Sequence, residues 1–289
     1  MPLALFAAFA TVLLWASAFP FIGLALRSFD PIALASLRFA VAGILLGGWL
    51  VWKRPSFPKI KDGLRFLLCA AIGIALYNVL LNSGQTTVSP GAASFIINTV
   101  PVITTIMAIF FLKESFGIWA WVGTGISLLG VGLIASGQTG GLSFGAGTTL
   151  VLAAALCQAA YFVLQRPLIP KYGAPVCASI VMVLGGFCLA PWLPSALVQA
   201  SSASTESFFA VLYLGIFPAA AGYATWTFAQ QAFGASRASN FLYLVPFVAT
   251  ALAIPIVGEW PTLLTVTGGA LAIIGVIVVN TIGRETKTA

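Results

Sequence analysis

The sequence carries very little charge for its length. It has 289 residues, no histidine, and only 13 Lys or Arg and 6 Asp or Glu side chains. A soluble domain has roughly 25% charged residues, which would be about 70 in a chain of this length. Here the charged fraction is 7%, the hydrophobic fraction is 60% and the mean hydropathy is +1.07. This composition excludes a soluble enzyme, a disordered tail and a disulfide scaffold, and predicts an all-α polytopic membrane protein.

Groups that bind metals or perform catalysis are also scarce. The four cysteines lie apart within apolar runs, with no C-x-x-C spacing. We therefore interpret Cys69, Cys157, Cys177 and Cys188 as packing residues, and we expect no metal, no other cofactor and no enzyme active site. A phosphate-binding G-x-x-x-x-G-K-[ST] loop is absent too, so ATP is not expected to drive any process from within this chain.

Apolar runs fill most of the chain. A bilayer core of about 30 Å needs around 20 apolar residues in a helix. Short joints marked by Pro, Gly or charge separate the runs and leave no room for a domain outside the membrane. Because the first run is long and lacks a basic leader, we expect it to be a retained transmembrane helix. The ten predicted spans are residues 3–26, 31–52, 63–84, 90–112, 115–136, 146–166, 173–196, 206–232, 236–258 and 261–282.

The basic residues predict which side of the membrane each loop occupies. With a cytoplasmic N-terminus, 11 of the 13 Lys and Arg residues fall on inner loops and helix ends, and only Arg27 and Arg38 fall outside. The positive-inside rule therefore predicts that both termini are cytoplasmic. The net charge of +7 then reflects topology, so we expect contact with the lipid bilayer and no nucleic-acid partner.

The two halves of the chain repeat each other at a constant offset of 145 residues. The offset aligns Pro101 with Pro246 and Glu114 with Glu259. Matching Pro, Glu and Gly at one shift are hard to obtain by chance, so we interpret the halves as duplicated five-helix units. Five is odd, so the second unit is inverted in the membrane, an architecture of many secondary transporters. The predicted units are residues 1–140 and 141–289.

Polar and aromatic side chains recur at helical spacing inside the spans, which predicts a central cavity. Asn78 and Asn82 lie four residues apart, and the positions 145 residues later hold Tyr223 and Thr227. A polar group buried in lipid needs a partner or a cavity. The alternative is hydrogen bonding between helices, worth about 0.6–2 kcal/mol per contact. The candidate substrate-binding residues are Trp15, Ser17, Phe19, Tyr77, Asn78, Asn82, Asn98, Gln158, Tyr161, Tyr223, Trp226 and Tyr243.

Arg38 is the one ionisable residue that lies clearly within an apolar stretch, in the second predicted span. One expectation is that it snorkels outward and pairs with Asp30, two helical turns earlier. The other is that it captures a substrate carboxylate or gates the outer mouth. Backbone groups freed near Pro101 and Pro246 are further candidates for the charged ends of a substrate.

Glu114 and Glu259 occupy equivalent places at the ends of predicted spans. We expect each to cap a helix or pair locally, Glu114 with Lys113, and the alternative is a role in ion coupling. A proton-coupled exporter usually needs an acid within the membrane, and no Asp, Glu or Lys lies deep within a span. The sequence therefore favours a largely uncharged cavity without a buried proton carrier.

Small residues form a matched stripe on the fifth and tenth predicted spans. Their spacing gives a flat face for close helix packing, so we expect packing within one chain, with a homodimer seam as the alternative. The protein is then a monomer or a weak homodimer. The stripe consists of Gly123, Ser127, Gly130, Gly268, Ala272 and Gly275.

Four segments resemble the drug/metabolite transporter superfamily, in its ten-helix EamA-type branch. They are L-L-W-A-S-A-F-P (13–20), A-L-A-S-L-R-F (33–39), A-A-S-F-I-I-N-T-V-P-V (92–102) and R-A-S-N-F-L-Y-L-V-P-F (237–247). The helix-ending K-E-S (113–115) and G-E (258–259) resemble the glutamate of the repeated family signature. The resemblance covers nearly the whole chain.

The resemblance implies ten helices in an inverted five-plus-five repeat. It also implies a multi-pass protein of the bacterial inner (plasma) membrane that exports metabolites, often amino acids and here with aromatic ones as candidates. Multidrug relatives carry a glutamate within the first helix, whereas residues 15–19 contain none. Sugar-phosphate relatives use basic residues in the central site, and we expect none here. The expected solute is therefore zwitterionic or neutral, moved by alternating access. The alternatives are a proton-coupled drug or metabolite exporter and a membrane sensor or channel that is not a carrier.

Overall fold

The computed structural model describes residues 2–56, 58–88, 90–136, 145–249, 252 and 263–282. Every regular element in these ranges is helical. The first half contains α1 (Pro2–Ala25), α2 (Pro31–Lys53), α3 (Ile60–Gly84), α4 (Pro90–Ile97), α5 (Val100–Leu112) and α6 (Ile118–Ser136). The second half contains α7 (Ala146–Gln165), a single turn Ile169–Tyr172, α8 (Ala174–Ser202), α9 (205–233), α10 (235–249) and α11 (Leu263–Asn280).

The helices have the length and composition of membrane spans. Among the described residues, seven helical segments are long and apolar enough to cross a bilayer, and two shorter apolar helices lie within α6 and α11. The protein is therefore a multi-pass membrane protein, as predicted. The predicted span 173–196 is longer in the structure, because a 3₁₀ turn at Ala190–Trp192 carries the chain from one helix into the next as far as Ser202.

Helix breaks lie where the backbone chemistry permits them. α9 and α10 meet at Gly234, whose φ of +81° costs little only for glycine. α4 and α5 are separated by a turn at residues 98–99, and Pro101 then occupies the first turn of α5, where a missing N–H costs nothing. The predicted disruption at Pro101 thus lies just before that residue.

Two π-helical stretches repeat at the offset seen in the sequence. One covers Ala71–Leu76 in α3 and the other Gly215–Ala221 in α9. Shifting the first by 145 residues gives 216–221, nearly the whole of the second. A π stretch is rare and often lies at a functional site. The duplication is therefore present in backbone geometry as well as in residue identity.

The stripe of small residues joins α6 to α11 within one chain, as predicted. A Cβ added to Gly123 would lie 2.7 Å from the carbonyl oxygen of Gly275, and one added to Gly130 would overlap the carbonyl oxygen of Gly268. Ser127 Oγ donates a hydrogen bond to the carbonyl of Ala272 at 3.2 Å. Only residues this small allow the two backbones to approach so closely.

Candidate functional site

A narrow cavity of about 40 Å³ lies where α1, α2, α3, α7, α9 and α10 meet the break between α4 and α5. Eight of the predicted binding or gating residues line it: Trp15, Phe19, Arg38, Tyr77, Asn78, Asn98, Gln158 and Tyr223. Seven apolar residues complete the wall: Ala18, Ile22, Leu81, Ile97, Val100, Leu242 and Val245. The polarity pattern could not find these seven, because apolar residues face cavities, neighbouring helices and lipid alike.

Two of the predicted binding residues instead hold neighbouring helices together. Ser17 Oγ lies 2.7 Å from the hydroxyl of Tyr213 and also bonds the carbonyl of Leu14. Asn82 Nδ2 donates to the carbonyl of Pro31 at 3.0 Å, which ties α3 to the start of α2. For these two side chains the structure favours the alternative of interhelical hydrogen bonding.

Aromatic rings lie behind the cavity wall and support it. The rings of Trp226 and Phe162 are 4.0 Å apart at their centroids, and Trp226 is 5.4 Å from Trp15. Tyr161 lies 5.9 Å from Tyr223 and packs against Gly73 in the π stretch of α3, where no Cβ could fit. Tyr161, Trp226 and Tyr243, three predicted binding residues, are fully buried and are not among the residues that line the cavity.

Arg38 reaches the cavity, and the groups that its guanidinium bonds in the described part of the chain are neutral. Its side chain is 3% exposed; Nη1 donates to Asn78 Oδ1 at 3.1 Å and Nε to the carbonyl of Leu214 at 3.3 Å. The Leu214 carbonyl lies just before the π stretch Gly215–Ala221 of α9, in which carbonyls accept from the residue five positions later. Arg38 therefore ties α2 to α9 at the point where the π stretch begins.

Two expectations about Arg38 are wrong. It does not pair with Asp30, which lies just before the start of α2 and accepts a hydrogen bond from Gln199 Nε2 at 2.9 Å. The expected absence of a basic residue from the central site is also wrong, because Arg38 lies there. The cavity is neutral apart from this one cation among its lining residues.

No carboxylate compensates Arg38 within the part of the chain that the structure describes. The ion pairs found there join Arg166 to Glu114 and Lys171 to Asp62. Arginine keeps its proton in proteins, and a buried ion without a counter-charge costs several kcal/mol. Asn78 is held so that its oxygen faces Arg38, because its Nδ2 donates to the carbonyl of Ile74 at 2.8 Å. The arrangement presents a preformed positive centre to an anionic group.

Glu114 forms a joint between the two halves of the chain. Its carboxylate accepts from the N–H of Ala235 and of Ser236, both at 3.0 Å, and from Ser236 Oγ at 2.7 Å. Arg166 Nε lies 3.8 Å from the same carboxylate. The predicted pairing of Glu114 with Lys113 is therefore wrong. Gly234 makes this possible, since a Cβ there would lie 3.0 Å from Glu114 Oε1. Glu114 thus caps the first turn of α10, the first of the two predicted roles.

Two proline gating candidates adjoin residues of the cavity wall. Pro101 and Pro246 are both buried, near the start of α5 and within α10, beside the wall residues Val100 and Val245. Glu259 lies outside the described residues. Its predicted equivalence to Glu114 stays a prediction.

A second polar cluster joins the start of α3 to the turn at Ile169–Tyr172. Asp62 accepts from Lys171 Nζ at 2.9 Å and from the Tyr172 hydroxyl at 2.7 Å. The hydrogen bond to Asp62 raises the pKa of Tyr172. Lys61 and Arg65 lie beside this cluster around an open groove. The cluster is built from a paired acid and exposed cations at a helix end, which suits a membrane interface.

The chain is similar to known transporters over almost its full length. It is 35% identical to the uncharacterized transporter YdfC of Bacillus subtilis, over 91% of this chain and 86% of that protein. It is 34% identical to a protein of Streptantibioticus cattleyicolor named "probable terminal-alkyne amino-acid exporter", over 96% of this chain and 94% of that one.

A solved crystal structure shares the fold, with a TM-score of 0.75 at 21% identity over 97% of each chain. The EamA-like transporter family matches the sequence twice, over residues 2–136 and 145–281. The two matches agree with the repeated π stretches and the repeated sequence. The chain belongs to the EamA-like transporter family, and it is a membrane transporter and not an enzyme.

Proposed function

We propose that the protein exports amino acids, aromatic ones among them, or similar small amphipathic metabolites, by alternating access through the central cavity. The observation that carries the proposal is the buried Arg38 guanidinium, which lines the cavity and whose partners among the described residues are the neutral groups of Asn78 and Leu214. A carboxylate is the group that all amino acids share, and a guanidinium binds it with two parallel hydrogen bonds. Aromatic and amide side chains around it suit an amphipathic solute.

The similarity to the probable amino-acid exporter supports the same substrate class. Substrate contact is proposed for the eight polar and aromatic cavity residues, with Ser17, Asn82, Tyr161, Trp226 and Tyr243 supporting them. The cavity of about 40 Å³ has room for roughly three waters, whereas small-molecule sites are usually about 300–1,000 Å³. The helices therefore have to separate to admit an amino acid, which is the motion that alternating access requires.

The proposal includes the topology that the basic residues predict. Ten spans form an inverted five-plus-five repeat with both termini in the cytoplasm, in the inner membrane of a bacterial cell. The breaks at residues 98–99 and at Gly234 are the hinges, and the Glu114 joint closes the cytoplasmic end.

Counterflow into proteoliposomes tests the function. Vesicles loaded with unlabelled phenylalanine or leucine should accumulate the labelled amino acid transiently and saturably, without any imposed pH gradient. Flux that is linear in solute and shows no trans-stimulation would identify a channel. Counterflow that appears only for organic cations, or transport of amino acids only with a pH gradient, would favour the proton-coupled alternative.

A further inference from the structure

The cavity has unpaired acceptor oxygens as well as the Arg38 cation. Among the residues that the structure describes, Asn98 Oδ1 and Gln158 Oε1 find no hydrogen-bond partner, and both residues are only 2% exposed. Both side chains line the same cavity as Arg38. A buried acceptor without a donor costs about 1–3 kcal/mol, so such groups in a cavity indicate a ligand or water that donates to them.

The orientation of Asn98 is fixed by its own helix. Its Nδ2 donates to the carbonyl of Ser94 at 2.7 Å, so its oxygen is the atom that remains available. Asn98 lies in the turn that separates α4 from α5. That break in the helix brings a polar residue to the cavity, where Ile97 and Val100 on either side are apolar.

The surrounding rings suit a cation beside these oxygens. Trp15, Phe19 and Tyr223 line the cavity, and the faces of aromatic rings attract positively charged groups. An ammonium group is a pure donor, with three N–H bonds and no acceptor. It therefore satisfies unpaired carbonyl oxygens without leaving a lone pair unmatched.

We propose that Asn98 Oδ1 and Gln158 Oε1 form an ammonium subsite, so that the cavity selects zwitterions that carry an α-carboxylate and an amine together. The inference rests on the proposed function, in which Arg38 binds the carboxylate. Asn78 belongs to the carboxylate side, because its oxygen is already used by Arg38. Because the cavity binds the carboxylate and the amine together, a compound that has only one of these groups should be a poor substrate.

Competition against counterflow tests the subsite in the wild-type protein. The competitors for labelled phenylalanine are phenylalanine itself, 3-phenylpropionate, which lacks the amine, and phenethylamine, which lacks the carboxylate. Half-inhibition should need at least ten-fold more of either analogue than of phenylalanine. Equal competition by 3-phenylpropionate would overturn the ammonium subsite but leave carboxylate transport intact. Absence of any saturable counterflow would instead contradict the proposed function.

Removing the acceptor oxygens should change the preference for phenylalanine over 3-phenylpropionate, and not only the transport rate. Asn98→Leu and Gln158→Leu keep the side-chain volume close to the original and delete the oxygen. Each should raise the phenylalanine KM at least ten-fold while leaving competition by 3-phenylpropionate within two-fold, so the ratio between the two ligands falls. Asn280→Leu is the matched control and should keep the ratio, because the Asn280 Nδ2 also donates to the carbonyl four residues earlier while its side chain does not line the cavity. An unchanged ratio in both cavity variants, in protein that retains counterflow, would refute the subsite.

Discussion

Replacing Glu114 with glutamine should loosen the end of the molecule where α5, α7 and α10 meet. The carboxylate accepts three hydrogen bonds from Ala235 and Ser236. Hydrogen bonds to a charged group contribute about 1.5–3 kcal/mol each, and neutral ones about 1 kcal/mol. Glutamine offers one neutral oxygen and places an amide N–H against the remaining donors. Because the Glu114 side chain is 22% exposed, solvent offsets part of the loss, and we expect about 2–4 kcal/mol.

Hydrogen–deuterium exchange measures this opening directly. A loss of about 2–4 kcal/mol raises the open fraction by about 30-fold to several hundred-fold, since each 1.4 kcal/mol is a factor of ten. Peptides that cover residues 234–240 should exchange faster by that factor in Glu114→Gln. Glu206→Gln, an exposed carboxylate in the first turn of α9, is the control and should leave these peptides unchanged. Wild-type exchange rates at residues 234–240 in Glu114→Gln would show that Glu114 does not hold the start of α10.

Three further predictions concern packing and the buried charge. Gly130→Val should lower the free energy of unfolding by about 1–3 kcal/mol, because the side chain would overlap the Gly268 carbonyl, and thermal unfolding in detergent should show it. Gly125→Val should change the melting temperature far less, because no atom of the described residues lies within 4 Å of a Cβ added there. Arg38→Met should abolish counterflow while leaving the melting temperature equal or higher, since relief of ion desolvation offsets the lost hydrogen bonds. A fall of more than about 3 kcal/mol in the free energy of unfolding, as for loss of a well-paired ion, would contradict this prediction. Gly234→Ala should speed hydrogen–deuterium exchange at residues 234–240, because the φ of +81° and the nearby Glu114 carboxylate both oppose a side chain. Wild-type exchange rates in this variant would show that the break between α9 and α10 accommodates a Cβ.

Hydropathy and the repeat made the architecture predictable. A run of about 20 apolar residues has few alternatives to a spanning helix, so boundaries such as Pro31–Lys53 lie within a residue or two of those predicted. The 145-residue offset survives in the π stretches because duplicated sequences keep their backbone irregularities. Asn98 and Gln158 were predicted to line the cavity because they are amides within apolar spans, and both line it.

The missed features depend on tertiary distance or on helix rotation. Glu114 binds residues 121 and 122 positions away, which no local pattern encodes. Ser17 and Asn82 belong to polar stripes yet bond neighbouring helices, because helical period gives a face and not the direction in which that face points. The role of Arg38 stayed open in the sequence, since only the fold places Asn78 and the Leu214 carbonyl beside it.

Counterflow of labelled phenylalanine and leucine by Arg38 variants tests the central claim most directly. Arg38 is buried in the cavity wall, whereas Arg27, the other basic residue predicted outside, is exposed and makes a matched control. Arg38→Gln should reduce kcat/KM at least ten-fold for both amino acids, with Arg38→Lys intermediate, and Arg27→Gln should behave as wild type. Saturable counterflow that is undiminished in Arg38→Gln would show that the carboxylate does not bind at this cation and would contradict the account.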